Sequence, residues 1–133
     1  MTYMFIGGQW CDPASGETIS AICPSTGAEI DRIGAGNATD IDRAVTAARA
    51  ALEGDWGRMT ATERGRLLTA LGLKVLEHAD ELADIEARDA GKPISQARAD
   101  VGALARYCEY YGGAADKLHG ETLPYLNGYS LTA

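Results

Sequence analysis

From Thr60 to Ala115 apolar residues return every three or four positions, and the rhythm breaks most sharply at Gly91-Lys92-Pro93. That spacing puts side chains on one face of an α-helix and scatters them on a strand. The middle and later parts of the chain can therefore bury their apolar residues only as helices packed on one another. Leu68, Leu71, Val75, Ala79 and Leu82 carry the first stripe, opened by a Thr60-x-x-Glu63 capping box, with Asp80 as the cap of a second segment. Gly91 reads as the residue after a helix end and Pro93 as the first-turn proline of the next helix. Ile94, Ala97, Val101, Leu104, Ala105, Cys108, Tyr111 and Ala115 then keep helical spacing over the longest stretch, with Gly112-Gly113 expected to kink or loosen its end.

Upstream, Ile41, Ala44, Val45, Ala48 and Leu52 share one helix face, with Asn37 or Thr39 as its cap. Before Gly36 the chain is punctuated by Gly, Pro, Ser and Asp. A hairpin is expected around Gly7-Gly8, and a second strand pair around Pro24-Ser25-Thr26-Gly27. After Gly120, Tyr125, Tyr129 and Leu131 read as strand material around Asn127-Gly128, an edge with nothing downstream to pair with. The expected fold class is an α+β segment: N-terminal β-hairpins, antiparallel helices and a terminal strand.

The residues offer little chemistry of their own. A formal net charge of −7 is the wrong sign for nucleic acid or an anionic membrane, so neither is expected as a partner. No stretch reaches the roughly 20 apolar residues of a membrane helix, and the N-terminus has no basic, long-apolar leader pattern. Cys11, Cys23 and Cys108 are odd in number and far apart, which suits a reduced, cytoplasmic chain better than a disulfide framework. Cys108 falls on the apolar stripe of the long helix and reads as a buried structural thiol. His78 reads as solvent-facing near a helix break, and His119 as a partner for the C-terminal dipole of its helix. Gly34 and Gly36 precede a helix, but without a third glycine or a βαβ context they serve a strand-to-helix turn rather than a nucleotide. Asp89 is more informative, because it ends a helix where free carbonyls collect. Two readings stay open for it: a carboxylate holding a cation among those carbonyls, or an ordinary exposed acid at a turn.

Taken together, "FIGGQWCDPASGETISAICPSTGAEI", "DIDRAVTAARAALEGDWGRMTATERGRLL", "ELADIEARDAGKPISQARADV" and "YYGGAADKLHGETLP" resemble, in order and spacing, the N-terminal region of the NAD(P)-dependent aldehyde dehydrogenase superfamily. The best-matching pieces are Pro24 to Gly27, Trp56 with Met59 and Arg64, Asp89 with Gly91-Lys92-Pro93, and Tyr110-Tyr111 through Gly120. The resemblance implies the α/β fold of that family, with its Rossmann-like core missing from this stretch. Residues 1–120 would be the hairpin-and-helix part of the coenzyme-binding domain, and 121–133 the start of the oligomerisation β arm. In the parent reaction a cysteine thiolate attacks the aldehyde, hydride leaves to NAD or NADP, and water activated by a glutamate releases the carboxylic acid.

Those catalytic and coenzyme residues lie further on in relatives, and Cys11, Cys23 and Cys108 do not stand in the Gly-Gln-x-Cys-like context of the nucleophile. No catalytic or coenzyme-binding residue is therefore expected in this chain, nor tight coenzyme binding by it alone. The resemblance further implies a partial monovalent-cation site from Asp89 and a main-chain carbonyl of Ala21 or Ile22, although the family's asparagine in that turn is Cys23 here. It also places Ala103 and Tyr107 of the long helix at the aldehyde entrance. The expected whole is an N-terminal fragment of an aldehyde-oxidising homo-oligomer, a dimer or tetramer through the β arm. The alternatives are a truncated inactive product and a stand-alone module pairing with a full-length subunit.

Overall fold

Gly7 and Gly8 both take positive φ, 60° and 81°, as a tight two-residue hairpin turn requires. In the computed structural model, which describes residues 3–132, this turn joins β1 (Met4–Ile6) to β2 (Gln9–Cys11) in an antiparallel pair. A second antiparallel pair follows, β3 (Thr18–Ile22) with β4 (Glu29–Gly34). Its ladder shifts register between Ala21 and Ile22, whose partners are Asp31 and Glu29, so Ile30 is passed over. Five helices come next: α1 (Ala38–Glu53), the single turn α2 (Asp55–Arg58), α3 (Ala61–Glu77), α4 (Ala79–Ala90) and α5 (Ile94–Ala114). A third hairpin, β5 (Thr122–Leu126) with β6 (Tyr129–Thr132), ends the described residues. Ala133 of the expected arm lies outside them. Every sheet among the described residues is a two-stranded antiparallel pair, which makes this an α+β segment.

Asn37 is the cap of α1. Its side chain accepts from the N–H groups of Thr39 and Asp40, while Asp40 accepts from Asn37 N–H in return. Asp40 is only 1% exposed. It also takes the Ala14 N–H at 3.1 Å and an Arg43 Nη1 contact at 3.2 Å, which ties the loop before β3 to the start of α1. The apolar stripe of the same helix stays open to solvent, with Leu52 at 68% exposure.

The core sits among α3, α4 and α5: Val75, Ala83, Ala97, Val101 and Ala105, with Ala79, Leu82 and Ala87 packed against them. Its residues are small, so the helices approach closely. A Cβ on Gly65 would lie 2.3 Å from the Gly112 carbonyl oxygen, and one on Gly72 would lie 3.0 Å from that of Ala105. Cys108 is buried in this seam, as its position on the stripe leads one to expect.

Five local expectations change. Gly112-Gly113 does not break α5, which runs on to Ala114; the missing side chain of Gly112 is used for contact with Thr69 and Gly65 instead. His78, not Asp80, occupies the cap position between α3 and α4, and Asp80 falls in the first turn of α4. His119 lies beyond the end of α5, so no helix dipole is available to it there. The tail is not a lone strand, because Asn127-Gly128 folds β6 back on β5 and each satisfies the other's inner edge. Pro93 stands just before α5 as its cap residue rather than inside its first turn.

Candidate functional site

Two places gather the residues of interest, and the first is where α4 ends against the β3–β4 turn. Gly91 closes α4 with φ of 67°, a left-handed conformation that glycine adopts without strain. A Cβ there would lie 2.6 Å from Pro24 Cγ and 3.2 Å from Ser25 Oγ. The Asp89-bearing helix end is thus pressed directly on the turn that follows Ala21 and Ile22. That turn is held by Cys23, whose carbonyl accepts from Gly27 N–H at 2.8 Å and from Thr26 N–H at 3.3 Å, and whose N–H donates to Ala28 at 2.8 Å.

Charge at this junction is arranged unevenly. Lys92 is clamped between two carboxylates, Glu86 of α4 at 2.5 Å and Asp100 of α5 at 2.8 Å. Asp100 and then Glu86 hold its ammonium above the ordinary lysine range. Arg88 faces Asp84 one turn back, at 3.8 Å. The buried Cys23 thiol is lowered, first by the Thr26 hydroxyl, then by the Thr26 and Ser25 N–H groups, and least by the charge of Arg88. Asp89, between these basic residues in sequence, is exposed and has no hydrogen bond or ion pair from its side chain among the described residues.

The second place is the exposed face of α5. Ala103 and Tyr107, one turn apart, both line an open groove of about 610 Å³ together with Arg106, Glu109, Tyr110 and Tyr111. The Tyr110 and Tyr111 rings meet edge to face, 5.1 Å between centroids. Among the described residues no three His, Cys, Asp or Glu side chains gather as a metal cluster.

The structure therefore presses the Gly91 end of α4 on the Pro24–Ser25 turn, and puts Ala103 with Tyr107 on one groove. The clamp on Lys92 is absent from the sequence reading. Its partners are six and eight residues away across a helix break, outside the three- and four-residue spacings that flag helical ion pairs.

A β-hairpin layer thus leads into close-packed helices, with the Asp89-x-Gly91-Lys92-Pro93 helix end docked on the Pro24–Gly27 turn. Residues 10–133 match the aldehyde dehydrogenase family, and the chain belongs to that family. It is 43% identical over 132 residues to aldehyde dehydrogenase family 2 member B4, mitochondrial, of Arabidopsis thaliana, covering 98% of this chain and 24% of that one. Among solved structures, a candidate aldehyde dehydrogenase from Burkholderia cenocepacia superposes with a TM-score of 0.91 at 55% identity, over 99% of this chain and 28% of that chain. PnpE, solved in complex with nicotinamide adenine dinucleotide, superposes with a TM-score of 0.86 at 39% identity, over 96% and 26%. The chain thus spans about a quarter of the length of the relatives it matches. No helix among the described residues is long and apolar enough to cross a membrane.

Proposed function

We propose that these 133 residues are the N-terminal part of an NAD(P)-dependent aldehyde dehydrogenase that oxidises an aldehyde to a carboxylic acid in the cytoplasm. Their own work is scaffolding. The observation that carries this reading is surface area: the chain exposes 10089 Å², whereas a compact monomer of its 14.0 kDa exposes about 6700 Å². Much of the excess is apolar, including Leu52 and Val45 of α1 and Leu67, Leu71 and Leu76 of α3. Faces of this kind are stable when a further body covers them, and relatives four times as long supply one.

In this reading residues 1–120 form the outer hairpin-and-helix part of the coenzyme domain. Residues 121–133 begin the arm through which subunits form a homo-oligomer, and the outer edges of the β5–β6 pair suit such strand addition. Ala103 and Tyr107 flank the aldehyde entrance on α5, with residues from the rest of the subunit opposite them. Asp89, with a carbonyl of Ala21 or Ile22, contributes to a structural monovalent-cation site. The donor set fits such an ion in kind: hard oxygens, one of them an exposed carboxylate without a protein partner among the described residues. A bound cation there would neutralise the Asp89 charge and fasten the end of α4 to β3.

The test is to sequence the locus beyond codon 133, express the continuous frame and the 133-residue chain separately, and follow NAD(P)H absorbance with a panel of aldehydes. The long product should reduce NAD(P) in an aldehyde-dependent way, and the short chain should not. An inactive long product, or an active short chain, overturns the proposal.

A further inference from the structure

Trp56, Met59 and Arg64 stand out in the sequence, yet they lie outside both places where the site residues gather. They meet at α2. Arg64, at the end of the first turn of α3, reaches back over the Thr60 cap. Its Nη1 donates to the Met59 carbonyl at 2.7 Å and, more loosely, to that of Trp56 at 3.5 Å. These are carbonyls that a short helix leaves open at its C-terminal end, where a cation is favoured. The other joint of α2 is closed by Gly57. A Cβ there would overlap the carbonyl of Leu52 in the last turn of α1, so a glycine is what lets the two helices fold together this closely.

The far end of α1 depends on this corner. The helix packs on α2 and on β1, whereas the core lies among α3, α4 and α5. Its start is tied by Asp40 to the Ala14 N–H, but the stripe through Val45 and Leu52 is exposed. A helix of 16 residues is marginal in water without tertiary support. Asp40 is the one buried residue of α1, and α2 has none. Elements with so few buried contacts are the ones that open locally. We propose that the α2 corner is an arginine latch: Arg64 and Gly57 hold the C-terminal half of α1 in place, and when the latch is broken that half frays together with α2 while α3, α4 and α5 stay folded. The inference stands on the corner's geometry and does not depend on the reaction of the parent enzyme.

The experiment is amide hydrogen exchange of the full subunit that contains these residues, read peptide by peptide by mass spectrometry. Arg64→Met keeps the helix propensity of α3 and removes the donor. Exchange over residues 46–59 should then quicken by about tenfold or more, as loss of a hydrogen bond from a charged group implies. Residues 38–45, next to the Asp40 tie, and residues 65–114 should keep their wild-type rates. Arg64→Lys retains a cationic donor and should recover most of the protection. Gly57→Ala acts at the other joint and should open the same 46–59 segment; if it does not fold, the two Arg64 variants decide alone. Quickening confined to residues 55–59 overturns the inference, because α1 is then held by what lies on its stripe. Quickening that runs through 65–114 also overturns it, since Arg64 then supports the whole helical layer. So does an unchanged pattern, or an Arg64→Lys variant that exchanges as fast as Arg64→Met.

Discussion

Two glycines of the helical layer should respond to the same substitution with opposite signs. Gly102 of α5 has open space where a Cβ would go, with nothing within 4 Å. Gly102→Ala should therefore gain the helix-propensity difference, about 0.5–1 kcal/mol. Gly65 of α3 meets the same gain and a larger cost. Its added Cβ would lie 2.3 Å from the Gly112 carbonyl oxygen and 3.1 Å from Ala115 Cβ. Moving it out to only 3.0 Å means opening the seam by about 0.7 Å against backbone that cannot rotate aside. Overpacking of this kind costs about 1–3 kcal/mol. After the propensity gain is subtracted, Gly65→Ala should still destabilise by about 0.5–2 kcal/mol. Urea unfolding of the subunit, followed by helix circular dichroism, reads the difference between the two variants directly. A shift of this size moves a thermal midpoint by several degrees as well. If Gly65→Ala stabilises as much as Gly102→Ala does, α3 and α5 do not meet at Gly65 and Gly112, and the packing argument is wrong.

Asp40→Ala removes acceptors for Ala14 N–H and Asn37 N–H, so it should cost about 1–3 kcal/mol in the same unfolding assay. Asp40→Asn, which keeps one acceptor oxygen, should cost visibly less, and equal costs would mean the charge rather than the hydrogen bonds matters. Val101→Ala opens a void in the small core and should cost about 2 kcal/mol, whereas Leu52→Ala on the open stripe of α1 should cost little in any form that leaves that stripe uncovered. Stability should also fall in acid. Glu63 is held below its ordinary value of 4.5, first by the Thr60 N–H and then by its hydroxyl, and Glu29 is held below it by Ser20 and then Arg32. Because these folded-state values are lowered, the contribution is complete above about 4.5 and is lost as the pH drops through them. Unfolding midpoints across that range should decline for wild type and flatten for Glu63→Gln, and parallel curves would remove Thr60–Glu63 as the cause.

Much of the local structure is legible in single residues. Thr60 with Glu63 forms the capping box its spacing announces, because both partners are within one turn. Gly7-Gly8 turns a hairpin because few residues other than glycine accept its dihedrals. Gly91 stops α4 for the same reason. Some misplaced details are shifts of a residue or two at caps, as at His78 and Pro93, and one involves partners distant in sequence. Gly112 looks like a weak point in a helix until Gly65 and Thr69 are brought beside it, and it is then the residue that permits the contact. Ala21, Ile22 and Asp89 are readable as a set only through family resemblance, since no periodicity links a strand end to a helix end more than sixty residues later in the chain.

The sequence by itself determined most of which segments are helix and which are strand, because caps, turns and periodicity act within a few residues. It also determined the family, through motifs kept in order. Only the tertiary structure decided that Lys92 belongs to Glu86 and Asp100 and that Asp89 has no protein partner among the described residues. Ion pairs are chosen by distance in space after the helices have packed, and packing is set by which small residues can face one another across a seam.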